Sequence, residues 1–142
     1  MTLLGRRPRL SRLPVIASVF VGLAACVETL PDQDRRIYAT APVVKLSADI
    51  LWEEYLEDAV AADRQYWGKV IEVSGEITGV SVEGSPPFLL FGQTEVLGVQ
   101  AWLLDDEAWD IMRAVGNGDR VTLRCFCEGR QEHVVLKSCI RP

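Results

Sequence analysis

At 142 residues, 49% of them hydrophobic and 25% charged, the chain has the size and composition of one globular domain with extras, which excludes a disordered protein. Its formal charge of −5 conceals an asymmetry: four arginines and no acids precede Cys26, so the remainder carries 11 basic against 20 acidic side chains, a net of −9. Phosphate backbones are bound mainly through Lys and Arg, and no basic stripe runs through this acidic remainder, so nucleic acid is a disfavoured partner.

The N-terminus begins with Arg6, Arg7, Arg9 and Arg12, continues as an apolar run from Leu13 to Leu23, and closes on the small residues Ala24 and Ala25. That run is shorter than the roughly 20 apolar residues needed to cross a bilayer. Leu23-Ala24-Ala25-Cys26 resembles the lipobox of bacterial lipoproteins. The resemblance implies that residues 1–25 are a lipoprotein signal peptide and that Cys26 is acylated, palmitate-type chains included, as the first residue of the mature protein. It further implies a place in the cell envelope, lipid-anchored to a membrane and facing the periplasm or the exterior. Val27 stands where Asp would retain an enteric-type lipoprotein at the inner membrane, which favours the outer membrane in a diderm cell. Residues 26–45 hold Pro31, Pro42 and scattered charges without a sustained period, and the expectation for them is a flexible tether.

Residues 46–142 read as the folded domain. Ser47 is a good N-cap, and Leu51, Tyr55, Ala59, Ala62 and Tyr66 recur at helical spacing up to a stop at Gly68. Glu53, Glu54, Glu57 and Asp58 fall elsewhere on that helix; with no basic or nucleophilic companion they read as a solvated face and not as catalytic carboxylates. Tyr66 to Val80 then reads as one long strand, with Ile71, Val73, Gly75 and Ile77 on one face and Gly75 as its expected bend. After the turn cluster Glu83-Gly84-Ser85-Pro86-Pro87, strands are expected at Phe88 to Phe91 and at Val96 to Leu103. Asp105 or Asp106 should cap a helix from Glu107 to Val115, with Ala108, Ile111, Met112 and Val115 inward and Gly116 as its stop. Val121 to Cys127 and Val134 to Ile140 complete the set as a hairpin.

This order describes a mostly β domain with helices: a five-stranded OB-fold barrel preceded by an N-terminal α-helix and carrying a helix between strands three and four. The run from Tyr55 through Tyr66-Trp67-Gly68-Lys69 to Val73-Ser74-Gly75 resembles the tRNA_anti-like family of OB-fold domains, often found in bacterial lipoproteins and envelope proteins. Gly118-Asp119-Arg120-Val121 and Val134-Val135-Leu136 with Cys139 resemble its closing hairpin. Asp58 stands where that family usually has Asn, and Ser138 where an acidic residue often precedes the cysteine, departures that weaken a polar role at either position. The resemblance carries no catalytic residues.

With Cys26 assigned to lipid, Cys125, Cys127 and Cys139 remain, and an exported domain with three cysteines suggests one bridge and one leftover thiol. The family resemblance favours a bridge between Cys127 and Cys139, leaving Cys125. A zinc set of Cys125, Cys127, His133 and Cys139 is the competing expectation, disfavoured because Cys-x-Cys on a straight strand spreads its sulfurs by about 7 Å. OB-folds bind ligands across strands two and three, where Phe88, Phe91 and Trp102 lie, so these are the candidates for a ligand face. The competing reading, that they fill the core of a small barrel, is the favoured one, and Trp52, Trp67 and Trp109 are expected to pack. No cofactor, phosphate-loop or catalytic-triad motif is present. The sequence therefore suggests a non-enzymatic, membrane-tethered binding module with an envelope protein as partner. The alternatives are a lipoprotein that binds single-stranded nucleic acid and a zinc domain.

Overall fold

The computed structural model describes Gly5, residues 31–92 and residues 97–142. The expected signal peptide, the lipobox and Cys26 lie outside the described residues. No helix among the described residues is long and apolar enough to cross a membrane.

A short 3-10 helix, Arg35–Ala39, leads into strand β1 (Lys45–Ser47), and helices α1 (Ala48–Glu57) and α2 (Ala59–Tyr66) follow. Strands β2 (Val70–Glu76), β3 (Gly79–Ser81), β4 (Phe88–Gly92) and β5 (Gly98–Leu103) come next. Helix α3 (Asp105–Ala114) precedes the final hairpin of β6 (Arg120–Arg130) and β7 (Val134–Ile140). The strands form one sheet in the order β1-β2-β6-β7-β5-β4-β3, parallel at β1·β2 and β5·β7 and antiparallel elsewhere.

The expected closed barrel of five strands is replaced, among the described residues, by an open sheet of seven in a mixed α/β domain with three α-helices. Every expected strand has a counterpart, but the first is divided and β1 is new. The division falls after Glu76 because two different partners claim the next residues: the Ile77 amide donates to the Asp119 carbonyl and the Thr78 amide to the Leu90 carbonyl. The chain thus leaves β6 and joins β4. Gly75 is not the bend. It stays paired with Val121 inside β2, and a Cβ there would come within 3.0 Å of the Phe91 ring and 3.1 Å of the Ala48 Cβ. Its small size admits a close approach, while the chain turns two residues later.

The single expected helix is two helices, broken at Asp58. The Asp58 amide closes α1 by donating to the Glu54 carbonyl, and its carboxylate opens α2 by accepting from the Ala61 amide. An Asp competes with the helical backbone in this way wherever a new turn can start, so Asp58 has a firm polar role despite its departure from the family residue. The break leaves Ala59 exposed, whereas Leu51, Tyr55, Ala62 and Tyr66 are buried as their spacing suggests. At the end of α2, Gly68 takes a positive φ of 73°, which an L side chain resists. Its amide donates to the Cys127 carbonyl while the Cys127 amide donates to the Lys69 carbonyl. The Tyr66-Trp67-Gly68-Lys69 step therefore joins the helical layer to β6.

One core packs α1, α2 and α3 on the sheet, with Leu51, Tyr55, Ile71, Ile77, Leu89, Leu103, Ile111, Leu123 and Leu136 inaccessible to solvent. A smaller cluster of Ile37, Val70, Leu104, Phe126 and Ile140 lies apart from it. Ile37 comes from the stretch expected to be a free tether. That stretch is docked from Asp32 onward, and β1, which begins at its last residue, pairs with β2. The Asp34 amide donates to the Ser138 Oγ at 2.8 Å, and the Ser138 hydroxyl donates to the Asp32 carbonyl at 3.2 Å. Gln33 donates to the Leu103 carbonyl and accepts from the Asp105 amide. Gln33 thereby caps α3 from a distant point of the sequence. The expected cap by Asp105 or Asp106 does not occur, and both lie inside the first helical turn. Burial of one isoleucine contributes about 1.5–3 kcal/mol, which adds to these hydrogen bonds against the conformational entropy lost in ordering the run.

Candidate functional site

Antiparallel pairing of β4 with β5 sets Phe88 opposite Trp102, Leu89 opposite Ala101 and Phe91 opposite Val99. Alternation then sends Leu89, Phe91, Val99, Ala101 and Leu103 into the core and leaves Phe88, Gln100 and Trp102 on the other face. The candidate ligand face of Phe88, Phe91 and Trp102 is therefore divided. Phe88 and Trp102 meet with ring centroids 4.5 Å apart, tilted by 44°, whereas Phe91 is 4% exposed and packs over Gly75. An odd spacing of three residues between Phe88 and Phe91 already places them on opposite faces of one strand.

Trp102 borders a groove of about 580 Å³, within the range of small-molecule and peptide-side-chain sites. Ser85 and Pro86 of the β3–β4 loop form one wall, Gln100 of β5 and Val135 of β7 contribute to the floor, and Glu128 and Gln131 bring the β6–β7 hairpin to the opposite side. Asp32, at the start of the docked N-terminal stretch, completes the rim. Lys137 is the groove's cation. Its Nζ lies 2.7 Å from an Asp32 carboxylate oxygen and 2.8 Å from one of Glu128. Burial works to lower the Lys137 ammonium, but the hydrogen bonds to Asp32 and Glu128 outweigh it and hold the group above the usual lysine value. Two carboxylates against one ammonium give the lining a net negative charge. Gln100, Glu128, Gln131, Lys137 and Asp32 escaped sequence reasoning because no local pattern marks them; only the hairpin and the docked segment bring them together.

The cysteines pair differently from the expectation. Cys125 is bonded to Cys139, with Cα atoms 4.3 Å apart, and Cys127 is the free, buried thiol. The cause is register: β6 and β7 align Cys127 with Leu136 and Arg124 with Ile140, and an irregularity between these pairs falls at Ser138, whose φ is 54°. The extra residue carries Cys139 up to Cys125 and turns the Ser138 hydroxyl to the N-terminal stretch, so Ser138 too has a polar role. Joined to each other, Cys125 and Cys139 cannot supply thiolates to the zinc set with Cys127 and His133. Among the described residues no group of His, Cys, Asp or Glu is placed to hold a metal ion. The Cys127 sulfur lies 3.5 Å from the Tyr55 hydroxyl, which donates to Asp63 at 2.9 Å. Burial raises both the Tyr55 phenol and the Cys127 thiol above their ordinary values. Tyr66 donates to Glu54, and burial pushes its phenol up to about 12. These contacts tie the helices to β6 inside the core. Of the expected packing tryptophans, Trp52 is buried, while Trp67 and Trp109 are 46% and 63% exposed.

No curated protein sequence matches the chain. A crystal structure at 2.46 Å of a lipoprotein from Klebsiella pneumoniae subsp. pneumoniae MGH 78578, whose nucleic-acid binding is a provisional designation, is similar with a TM-score of 0.47 and 15% identity. The match covers 77% of this chain and 94% of that one. The tRNA_anti-like family model matches residues 7–140, nearly the whole sequence, and the chain belongs to the tRNA_anti-like family.

Proposed function

We propose that the protein is a membrane-tethered, non-enzymatic binding module of the bacterial cell envelope that holds a protein partner in the groove between the β3–β4 loop and the β6–β7 hairpin. The observation that carries this reading is the groove itself, with an aromatic pair at its edge, amide side chains on its walls and Lys137 held between Asp32 and Glu128. Aromatic and amide groups bind polypeptide well, and a lysine already matched by two acids has little left for a phosphate backbone. The paired titratable groups either lie in the core or form ion pairs, an arrangement that supports packing and binding more than group transfer. Cys26 supplies the anchor, on the strength of the lipobox, and Val27 after it favours the outer membrane if the cell is diderm.

The reading is tested by capturing the intact lipidated protein from its own membranes, beside a Trp102→Ala, Gln100→Ala double variant shown to be folded. A reproducible protein partner that is lost from the variant supports it. Binding of single-stranded DNA that weakens as salt rises, with no protein captured, would replace it by the nucleic-acid alternative.

A further inference from the structure

The docked N-terminal stretch fixes the point at which the chain departs toward Cys26, and that point is the groove. Asp32 is both a rim residue and an ion-pair partner of Lys137. Behind it the stretch is held by the Ser138 hydroxyl, by Gln33 on Leu103 and Asp105, by a two-pronged pair of Arg35 with Asp106 at 3.0 and 2.9 Å, and by Ile37 in its apolar cluster. Cys26 precedes Pro31 by only five positions. Even a fully extended chain of that length spans only about 18 Å.

We infer that this clamp turns the mouth of the groove toward the bilayer, so that the groove engages a partner presented at the membrane surface: the juxtamembrane segment of a membrane protein. The inference rests on the proposed lipid anchor at Cys26. A tether free from Cys26 to Val44 would let the domain tumble tens of ångströms away from the headgroups. Docking from Asp32 onward removes most of that freedom and leaves the groove rim as the nearest part of the domain to the lipid. Attraction to lipid is not required, since the exposed Arg35 and Arg36 of the clamp are matched by Asp106 and Asp34. The comparison point is the turn at Asn117, separated from Gln131 along the chain by the whole of the 11-residue strand β6, a contour of roughly 35 Å.

The test uses the full lipidated protein in phosphatidylcholine vesicles that contain a nitroxide-headgroup lipid. A fluorophore is attached at Gln131→Cys in one variant and at Asn117→Cys in another; both positions are exposed, and Cys127 is buried. The expected result is severalfold stronger quenching at Gln131 than at Asn117. Inserting a flexible 20-residue Gly/Ser segment before Pro31, outside every docking contact, should abolish the difference while the protein remains on the vesicles. Vesicle-bound protein with equal quenching at the two sites would overturn the orientation and leave the anchor standing. Protein that fails to float with the vesicles would overturn the anchor, and with it this inference.

Discussion

Replacing Ile37 by alanine distinguishes a docked N-terminal stretch from a tether. The side chain is fully inaccessible and packs with Val70, Leu104, Phe126 and Ile140 in a cluster of five residues. Isoleucine-to-alanine changes in cores cost about 2–5 kcal/mol, the spread reflecting how far the site collapses around the lost atoms. A five-residue cluster covered by a single segment can close partly over the void, so the lower half of that range applies, about 2–3 kcal/mol. For a domain near 100 residues this lowers Tm by about 10 °C. The assay is urea unfolding of the oxidised protein followed by tryptophan fluorescence, with the slope compared to confirm that only stability has changed. Ser138→Ala acts on the same docking by leaving the Asp34 amide without its acceptor, for a further loss of about 1–3 kcal/mol. Because both residues hold one segment, the double variant should lose less than the sum of the singles. A change below about 0.5 kcal/mol for Ile37→Ala, the level of an ordinary surface position, would refute the docking.

Gly75→Val should destabilise the fold by about 1–3 kcal/mol in the same assay, because the new side chain meets Phe91 and Ala48 at close range; an unchanged midpoint would place the Phe91 ring elsewhere. The oxidised protein should yield no reactive thiol among Cys125, Cys127 and Cys139 when native and one when denatured, and that one should vanish in Cys127→Ala but persist in the wild type. A labelled Cys125 after denaturation would instead favour the pairing of Cys127 with Cys139. The hydrogen bonds from Arg36 hold the Asp34 carboxyl below its ordinary value of 3.8, so its contribution to stability is present above that value and is lost as pH falls through the depressed one. Asp34→Asn should accordingly flatten the acid limb of the stability profile below about pH 4, and an identical limb would show that the pair contributes nothing.

The parts of this fold that the sequence reveals are those governed by local periodicity. Alternation locates the strands around Phe88, Val99, Leu123 and Leu136, and helical spacing finds Leu51, Tyr55, Ala62 and Tyr66. What it hides depends on distant partners. The split after Glu76 requires Asp119 and Leu90 to compete for adjacent amides, and the pairing of Cys125 with Cys139 requires an irregularity at Ser138 that shifts the register. Asp58 is an intermediate case. Its capping chemistry is visible locally, but a continuous apolar stripe suggests that the helix runs on. The groove was least legible, because Ile37 in a run without a sustained period does not announce a docked segment, and without that segment Asp32 has no reason to meet Lys137. Phe91, by contrast, is legible: its spacing from Phe88 turns it inward, in line with the core reading and not with the ligand-face candidate.

The central claim, that the groove is the binding face, is tested most directly by photo-crosslinking in the protein's own membranes. A photoreactive side chain at Gln100 probes the groove, and one at Arg120, beside a second hollow of about 330 Å³ lined by Ser47, Ser74 and Thr78, serves as the comparison. A discrete protein adduct from Gln100 and none from Arg120 is the expected result. Adducts from Arg120 alone would contradict the account and move the binding face to the other end of β6.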